Sequence, residues 1–198
     1  MRLVQLYGGL LLYGVSSSLL VLADLGLDPW DVFHQGLSRT LGLAIGTWAI
    51  LVGVVVLLLW IPLRQRPGIG TLSNVVVVGG TMDLVLGQVH SPHGMAARIA
   101  CLVCGVFLNG VATGAYIGAG LGPGPRDGLM TGLAARGHSI RVVRTGIEVI
   151  VLASGWLLGG TVGVGTVLYA LSIGPLAHVF VPLFARGRPT PEHALEAV

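Results

Sequence analysis

The chain has 198 residues, of which 54% are hydrophobic and only 10% are charged. Soluble proteins usually carry about 25% charged residues, so this composition, with a mean hydropathy of +0.87, excludes an ordinary soluble domain and indicates an integral membrane protein. The formal net charge of +3 comes from arginines scattered between apolar segments, which excludes a nucleic-acid-binding surface and is typical of charges that set membrane orientation.

The chain begins with an apolar stretch, Leu3–Ala23, that is long enough to cross a bilayer, since a helical span needs about 20 apolar residues. Asp28 and Pro29 then have the pattern of a helix start, with Asp28 as the N-cap and Asp31 in the first turn near the positive end of the helix dipole. This helix extends to about Leu41, which is too short to cross a hydrocarbon core of about 30 Å. We expect it to lie in the interface or to enter the membrane as a re-entrant half-helix.

Further apolar stretches along the chain complete a prediction of six spans. A second short helix is expected to start at Pro125. The polar tail from Arg186 is expected to be disordered and cytoplasmic, so that residues 1–185 form a single transmembrane domain. The five predicted spans after the first are Thr47–Pro62, Thr71–Val89, Ala97–Ala119, Thr145–Leu158 and Gly165–Phe184.

The sequence repeats itself at an offset of 96 residues. Residues 9–37 aligned on residues 105–133 are identical at 11 of 29 positions, whereas residue usage near 7% predicts about two or three matches by chance. The two short helices are part of this repeat, because Pro29 and Asp31 align with Pro125 and Asp127. At an offset of 95, Gly68-Ile69-Gly70-Thr71 aligns with Gly163-Val164-Gly165-Thr166. We predict a duplication with repeat 1 at about residues 1–94 and repeat 2 at about residues 95–185.

The arginines predict the orientation of the chain. With a cytoplasmic N-terminus, nine arginines lie inside, and only Arg39 and Arg98 lie outside, as the positive-inside rule favours. Three spans in each repeat place the second repeat in the membrane in the opposite orientation to the first. The fold expected is therefore an all-α polytopic protein of about six transmembrane helices in two inverted three-helix repeats. Both termini are expected to be cytoplasmic.

Asp31 and Asp127 are the first candidates for a site, because they recur at equivalent positions. Paired half-helices of an inverted repeat bring their N-terminal dipoles together, where these carboxylates would bind a solute or cation. The alternative is that each carboxylate only caps the first turn of its own helix. The copies differ, since Trp30 aligns with Arg126, and Arg126 either pairs with Asp127 or projects to the cytoplasm.

Asp83, Glu148 and His178 are candidates because ionisable groups in spans are costly and usually face a cavity or a partner. Asp83 aligns with His178 at an offset of 95, which suggests a pair that relays a proton or is a simple hydrogen bond. Glu148 lies four residues after Arg144, and this neighbour is expected to neutralise it. Asn74 is polar within a span, where interhelical hydrogen bonding is the ordinary role.

The sequence has no signature of catalysis or of cofactor binding. No nucleophile with a base, no phosphate-binding loop and no metal-ligand spacing is visible, so we expect neither an enzyme nor a cofactor or metal site. The pair Cys101 and Cys104 lies inside an apolar run and is interpreted as two small residues of a helix.

The ordered motifs resemble a known family. Gly26, Pro29 and Asp31 with Gly36-Leu37, followed by the two Gly-x-Gly-Thr motifs, are similar to those of bacterial YczE/YitT-type membrane proteins over about residues 5–185. The resemblance implies a small multi-pass inner-membrane protein. It favours the YczE side, because the soluble C-terminal domain of YitT-type relatives is not seen. It supplies no site residues.

Two functions stay open from the sequence. The first is a small-solute or ion transporter with its pathway between the inverted repeats. The second is a scaffold or accessory subunit of a membrane or biosynthetic complex, in which the polar residues only hold helices together. The expected partners are the lipid bilayer and an unknown solute or ion, with a homodimer or a partner membrane protein left open.

Overall fold

A computed structural model of the chain describes residues 1–185, and within these residues it contains eight helices and no strand. Both predicted short helices and all six predicted spans are present as helices, so the all-α prediction is confirmed. The predicted tail from Arg186 lies outside the described residues. The helices are α1 (Arg2–Ala23), α2 (Pro29–Leu41), α3 (Ile45–Leu63), α4 (Ile69–Leu86), α5 (Met95–Gly118), α6 (Pro125–Ala134), α7 (Ile140–Leu157) and α8 (Val164–Ala185).

Among residues 1–185, five helices are long and apolar enough to cross a membrane, namely α1, α3, α4, α5 and α8. The fifth predicted span, Thr145–Leu158, corresponds to α7, which has 18 residues but carries Arg141, Arg144 and Glu148. Charged groups at membrane depth are expensive unless they face protein or a cavity. The length and apolar composition that define a span are therefore met by five helices, while α7 has the length alone.

The helices that match at the repeat offset pack in matching ways. α1 packs on α4, and its counterpart α5 packs on α8. Each short helix packs on a helix of the other half, because α2 packs on α7 and α6 packs on α3. Each short helix is therefore held mainly by a helix that is distant from it in the sequence.

The central crossing of α1 and α5 depends on two equivalent glycines. A Cβ atom added at Gly9 would lie 2.8 Å from the backbone nitrogen of Tyr116, and one added at Gly105 would lie 2.9 Å from Cδ2 of Leu20. Tyr116 and Leu20 are themselves 96 residues apart, as are the two glycines. Small residues let helix backbones approach closely in membranes, so these two positions set the separation of α1 and α5.

The Gly-x-Gly-Thr motif of each half binds the loop that leads into the short helix of the other half. The backbone N–H of Gly70 donates to the carbonyl of Leu121 at 2.9 Å, and that of Gly165 donates to the carbonyl of Leu25 at 2.8 Å. These bonds link opposite halves of the chain at matched offsets. They fix the direction in which each loop enters its short helix.

These loops require glycine at two equivalent positions. Gly26 has φ of +115° and Gly122 has φ of +122°, in the region that L side chains rarely adopt. A Cβ atom at Gly26 would lie 2.7 Å from the nitrogen of Gly163, and one at Gly122 would lie 2.7 Å from Oγ1 of Thr71. Both backbone conformation and lack of space therefore exclude a side chain.

Candidate functional site

The N-terminal turns of α2 and α6 meet inside the helical bundle. Arg126, the second residue of α6, places Nη1 3.5 Å from Oδ1 of Asp28 and Nη2 3.7 Å from Oδ1 of Asp31. The guanidinium also stacks on Trp30, with its carbon 5.0 Å from the ring centroid. Arg126 thus joins the two short helices, and it neither pairs with Asp127 nor lies in a cytoplasmic loop, the two positions considered from the sequence.

The start of α2 follows the predicted capping pattern. Oδ1 of Asp28 accepts the backbone N–H groups of Trp30 at 3.0 Å and of Asp31 at 3.2 Å, and Pro29 is the first helical residue. The side chains of Asp28 and Asp31 are only 3% and 2% exposed. A sequence signal for a helix start therefore places two carboxylates in the protein interior.

The two equivalent aspartates have different roles. Asp127 caps α6, because its Oδ2 accepts the N–H of Gly124 at 3.2 Å, and it also accepts the hydroxyl of Tyr116 at 2.9 Å. Oδ1 of Asp31 instead accepts from Nδ1 of His34 at 3.1 Å and contacts Arg126. The proposal that each aspartate only caps its own helix describes Asp127 better than it describes Asp31.

A cavity of about 100 Å³ lies where the two short helices meet. Its wall comes from both halves of the chain, and in α7 it includes the ion pair of Arg144 and Glu148, whose Nε and Oε1 atoms are 3.0 Å apart as the spacing predicted. The other polar and aromatic residues of the wall are Tyr13, Asp28, Trp30, Thr113, Tyr116, Arg126, Asp127 and Tyr169.

A smaller cavity of about 30 Å³ is also lined by Arg126 and Trp30. Its wall includes His34 and Asn74, the candidate residue from the third predicted span. A volume of about 10–15 Å³ suffices for one water molecule, so the smaller cavity is large enough for water between these polar groups. Arg126 and Trp30 line both cavities.

Several buried polar atoms of this region have no hydrogen-bond partner among the described residues. They are Oδ2 of Asp28, Nε1 of Trp30, Oδ2 of Asp31 and Nε2 of His34. Leaving such a group unpaired costs about 1–3 kcal/mol, and most buried groups avoid this cost. Their concentration around the two cavities indicates a place for a molecule that donates and accepts hydrogen bonds.

Burial and the neighbouring Asp31 carboxyl raise the pKa of the Asp28 carboxyl, while Arg126 opposes the shift, and the resulting pKa is about 7. Asp28 lies in the linker between α1 and α2, outside the helices that are long enough to span a membrane. Its charge therefore changes in the neutral pH range.

Asp83 and His178 are not brought together. Oδ1 of Asp83 accepts the N–H of Gly46 at 2.6 Å, and its Oδ2 accepts the hydroxyl of Thr47 at 2.7 Å, so that Asp83 caps the N-terminus of α3. His178 is exposed on α8. Neither residue lines the larger or the smaller cavity.

The structure adds site residues that the sequence did not indicate. His34, and the tyrosines Tyr13, Tyr116 and Tyr169 of three different helices, line the cavities. The alignment of Trp30 with Arg126 marked where the two copies of the sequence differ, but it did not indicate that the two residues touch. The tyrosines carry no signal, since aromatic residues on apolar helices are ordinary core residues.

The chain matches one protein family over nearly all of its length. Residues 1–182 match the family of unknown function DUF6198. The chain belongs to this family.

Relatives of the DUF6198 chain cover most of its length. It is 40% identical to an uncharacterized protein of Haemophilus influenzae, over 87% of this chain and 80% of that protein. It is 34% identical to the uncharacterized membrane protein YczE of Bacillus subtilis, over 89% of this chain and 83% of YczE, and 30% identical to YyaS of the same organism, over 91% and 92%. No solved structure matches the chain. The resemblance to YczE is confirmed, and the DUF6198 chain is a multi-pass helical membrane protein.

Proposed function

We propose that this DUF6198 protein transports a small solute or ion through the membrane, along a pathway between two inverted repeats. The observation that carries the proposal is the cavity of about 100 Å³ between the N-termini of α2 and α6, with walls from both halves of the chain. Transporters with inverted repeats bind their substrates at discontinuous helices, where N-terminal dipoles and unpaired polar groups are available.

The matched contacts support the relation between the repeats. Gly70 bonds to Leu121 as Gly165 bonds to Leu25, and each short helix packs on the other half of the chain. Such an exchange is expected when two halves of the same fold surround one central site. On this proposal α2 and α6 are re-entrant half-helices. α7 also crosses the membrane, which brings the number of spans to six, and its Arg144 and Glu148 face the pathway.

The proposed location is the cell inner membrane with a cytoplasmic N-terminus. Arg126 and Arg144 do not count as cytoplasmic loop charges, because Arg126 lies between the short helices and Arg144 lines the cavity. The remaining arginines still favour the inside by seven to two. Asp31, Asp127, Asn74 and Glu148 lie in or beside the proposed pathway.

The flux test uses purified protein in proteoliposomes and four small probes, namely labelled methylammonium, glycine, acetate and rubidium. Transport predicts that at least one probe enters faster than it enters empty vesicles, and that Asp31→Asn lowers this rate. Asp83→Asn is the matched control, because the Asp83 side chain bonds to the start of α3, whereas Asp31 lines neither cavity but contacts Arg126 of their walls. Rates equal to those of empty vesicles for all probes, or unchanged flux in Asp31→Asn, would contradict transport.

A scaffold or accessory role is the second candidate, favoured by the structural use of other polar groups. Asp83 caps a neighbouring helix, and Asn109 links α1 to α8 through Ser16 and Tyr169 at 3.0 and 2.9 Å. On this alternative Asp31→Asn lowers the thermal stability in detergent as much as Asp83→Asn does, with no probe flux in the unmodified protein.

A further inference from the structure

We propose that the cavity between α2 and α6 binds a small organic cation with one positive charge, of the alkylammonium or alkylguanidinium class, and that Asp28 is its counter-ion. This inference deepens the proposed transport function by naming the class of the solute, and it rests on that function only for the passage of the solute across the membrane.

The charges of the cavity wall favour a cation. Three carboxylates line the cavity and only two guanidinium groups face them. Glu148 is paired with Arg144, and Arg126 is shared between Asp28 and the adjacent Asp31. With these groups ionised, the three carboxylates of the wall exceed its two guanidinium groups by one negative charge, and the adjacent Asp31 adds a second. Unbalanced buried charge is costly in a medium of low dielectric constant. A ligand with one positive charge offsets the excess of the wall itself.

The hydrogen-bonding capacity of the wall points to a ligand that donates protons. Oδ1 of Asp28 already accepts two backbone N–H groups and contacts Arg126, whereas its Oδ2 has no partner within residues 1–185. The hydroxyl of Tyr116 donates to Asp127, and that of Tyr169 donates to Asn109. Because these hydroxyl protons are committed, the oxygens of Tyr116 and Tyr169 offer lone pairs. Ammonium and guanidinium groups supply donors for these acceptors. The unpaired Nε1–H of Trp30 is itself a donor and is not served by such a cation.

The chain itself shows that this region accommodates such a cation. The guanidinium of Arg126 stacks on the ring of Trp30 and contacts two carboxylates. Aromatic faces attract cations, by about 2 kcal/mol where water is excluded. Arg126 is thus a tethered cation in the cavity wall, and Tyr13 and Tyr169 supply further aromatic rings of the same wall.

The volume limits the size of the ligand. A cavity of about 150 Å³ holds benzene, so the 100 Å³ found here suits a molecule of about five non-hydrogen atoms. Methylguanidinium has this size. Methylurea is its neutral isostere, with the same shape and without the charge.

Binding is measured by calorimetry on the full-length protein in detergent at mildly alkaline pH, with methylguanidinium and methylurea as probes. We expect methylguanidinium to bind and methylurea not to bind. Asp28→Asn keeps the helix cap, because asparagine is as good an N-cap as aspartate, and we expect it to weaken methylguanidinium binding about tenfold or more. Asp83→Asn, the same change at a carboxylate outside the cavity, should leave binding unchanged.

A second variant covers the case in which Asp28→Asn fails to fold. Ala170 is an exposed residue at the rim of the cavity, so Ala170→Phe covers the mouth without removing a charge. We expect it to abolish methylguanidinium binding while thermal stability stays near that of the unmodified protein.

Three results would overturn the inference. They are no methylguanidinium binding by the unmodified protein, equal binding of methylurea, and unchanged binding in both Asp28→Asn and Ala170→Phe. Methylguanidinium binding without flux of labelled methylguanidinium or of any of the four probes supports the cation site and contradicts transport. Flux of glycine or acetate without methylguanidinium binding supports transport and overturns the cation site.

Discussion

Arg126 stacks on the indole ring of Trp30, the residue that aligns with it in the first half of the chain, with its guanidinium carbon 5.0 Å from the ring centroid. The contact joins the N-termini of two short helices that are 96 residues apart. Because Arg126 also reaches Asp28 and Asp31, one side chain connects the halves and balances part of their buried charge.

The replacement Arg126→Gln is expected to destabilise the protein strongly, because it leaves two buried carboxylates without a cation. Breaking a buried ion pair costs about 3–5 kcal/mol of unfolding free energy. We expect a loss at the lower end of this range, because the Arg126 side chain is 28% exposed. The measurement is thermal unfolding in detergent. Arg98→Gln is the control, because Arg98 pairs with the half-exposed Asp24 and donates to the carbonyls of Ala23 and Asp24, so that its loss removes hydrogen bonds but leaves no buried carboxylate without a cation. Equal losses in the two variants would contradict a structural role for the buried pair.

The replacements Gly26→Ala and Gly122→Ala are expected to destabilise the protein by similar amounts, about 1–3 kcal/mol each, since both positions have positive φ and no space for a Cβ atom. Gly80→Ala is the control, because no atom lies within 4 Å of its added Cβ and alanine favours a helix interior. A large loss in only one of the two loop variants would show that the halves do not use these loops equivalently.

The replacement Asp83→Ala is expected to cost about 1–2 kcal/mol, because it removes the side chain that caps α3 through Gly46 and Thr47. Unfolding in detergent measures the loss. Probe flux per folded molecule is expected to stay unchanged, since Asp83 lies outside both cavities. Loss of flux at full stability would instead place Asp83 in the pathway.

The stability of the protein is expected to fall as the pH rises from about 4 to about 7. The raised pKa of Asp28, about 7 in the folded protein against about 3.9 in the unfolded chain, means that the folded state holds a proton that the unfolded state releases. This contribution is complete below the unfolded pKa and is lost through the folded pKa. Unfolding curves at several pH values should show a shallower fall in Asp28→Asn. The same dependence of unfolding free energy on pH in the unmodified protein and in Asp28→Asn would contradict this role of Asp28.

The orientation is testable at the two ends of α4. Single cysteines at Gln65 and Pro92, in a chain with Cys101→Ala and Cys104→Ala, are expected to react with an impermeant reagent from opposite sides of the membrane. Gln65 should be labelled from the cytoplasmic side, where the arginine count places it. Labelling of both from one side would contradict the arrangement of three spans in each repeat.

Much of the architecture was predictable, because it depends on patterns that are local in the chain. Apolar length located the helices, and Asp28 with Pro29 located the start of α2. The predicted ion pair of Arg144 and Glu148 is present, because a separation of four residues on a helix brings side chains together. The pairing suggested for Asp83 and His178 is absent, because alignment at one offset specifies equivalence and says nothing about contact.

The sequence by itself determined an all-helical membrane protein with a repeated Pro-x-Asp helix, since hydrophobic length, helix capping and duplication are properties of the linear chain. Only the tertiary structure decided that Arg126 lies against Asp28, Asp31 and Trp30, and that three tyrosines and two guanidinium groups share one cavity. These contacts join residues about 100 positions apart. They depend on how closely α1 and α5 approach each other where they cross at Gly9 and Gly105. No pattern that is local in the chain specifies this distance.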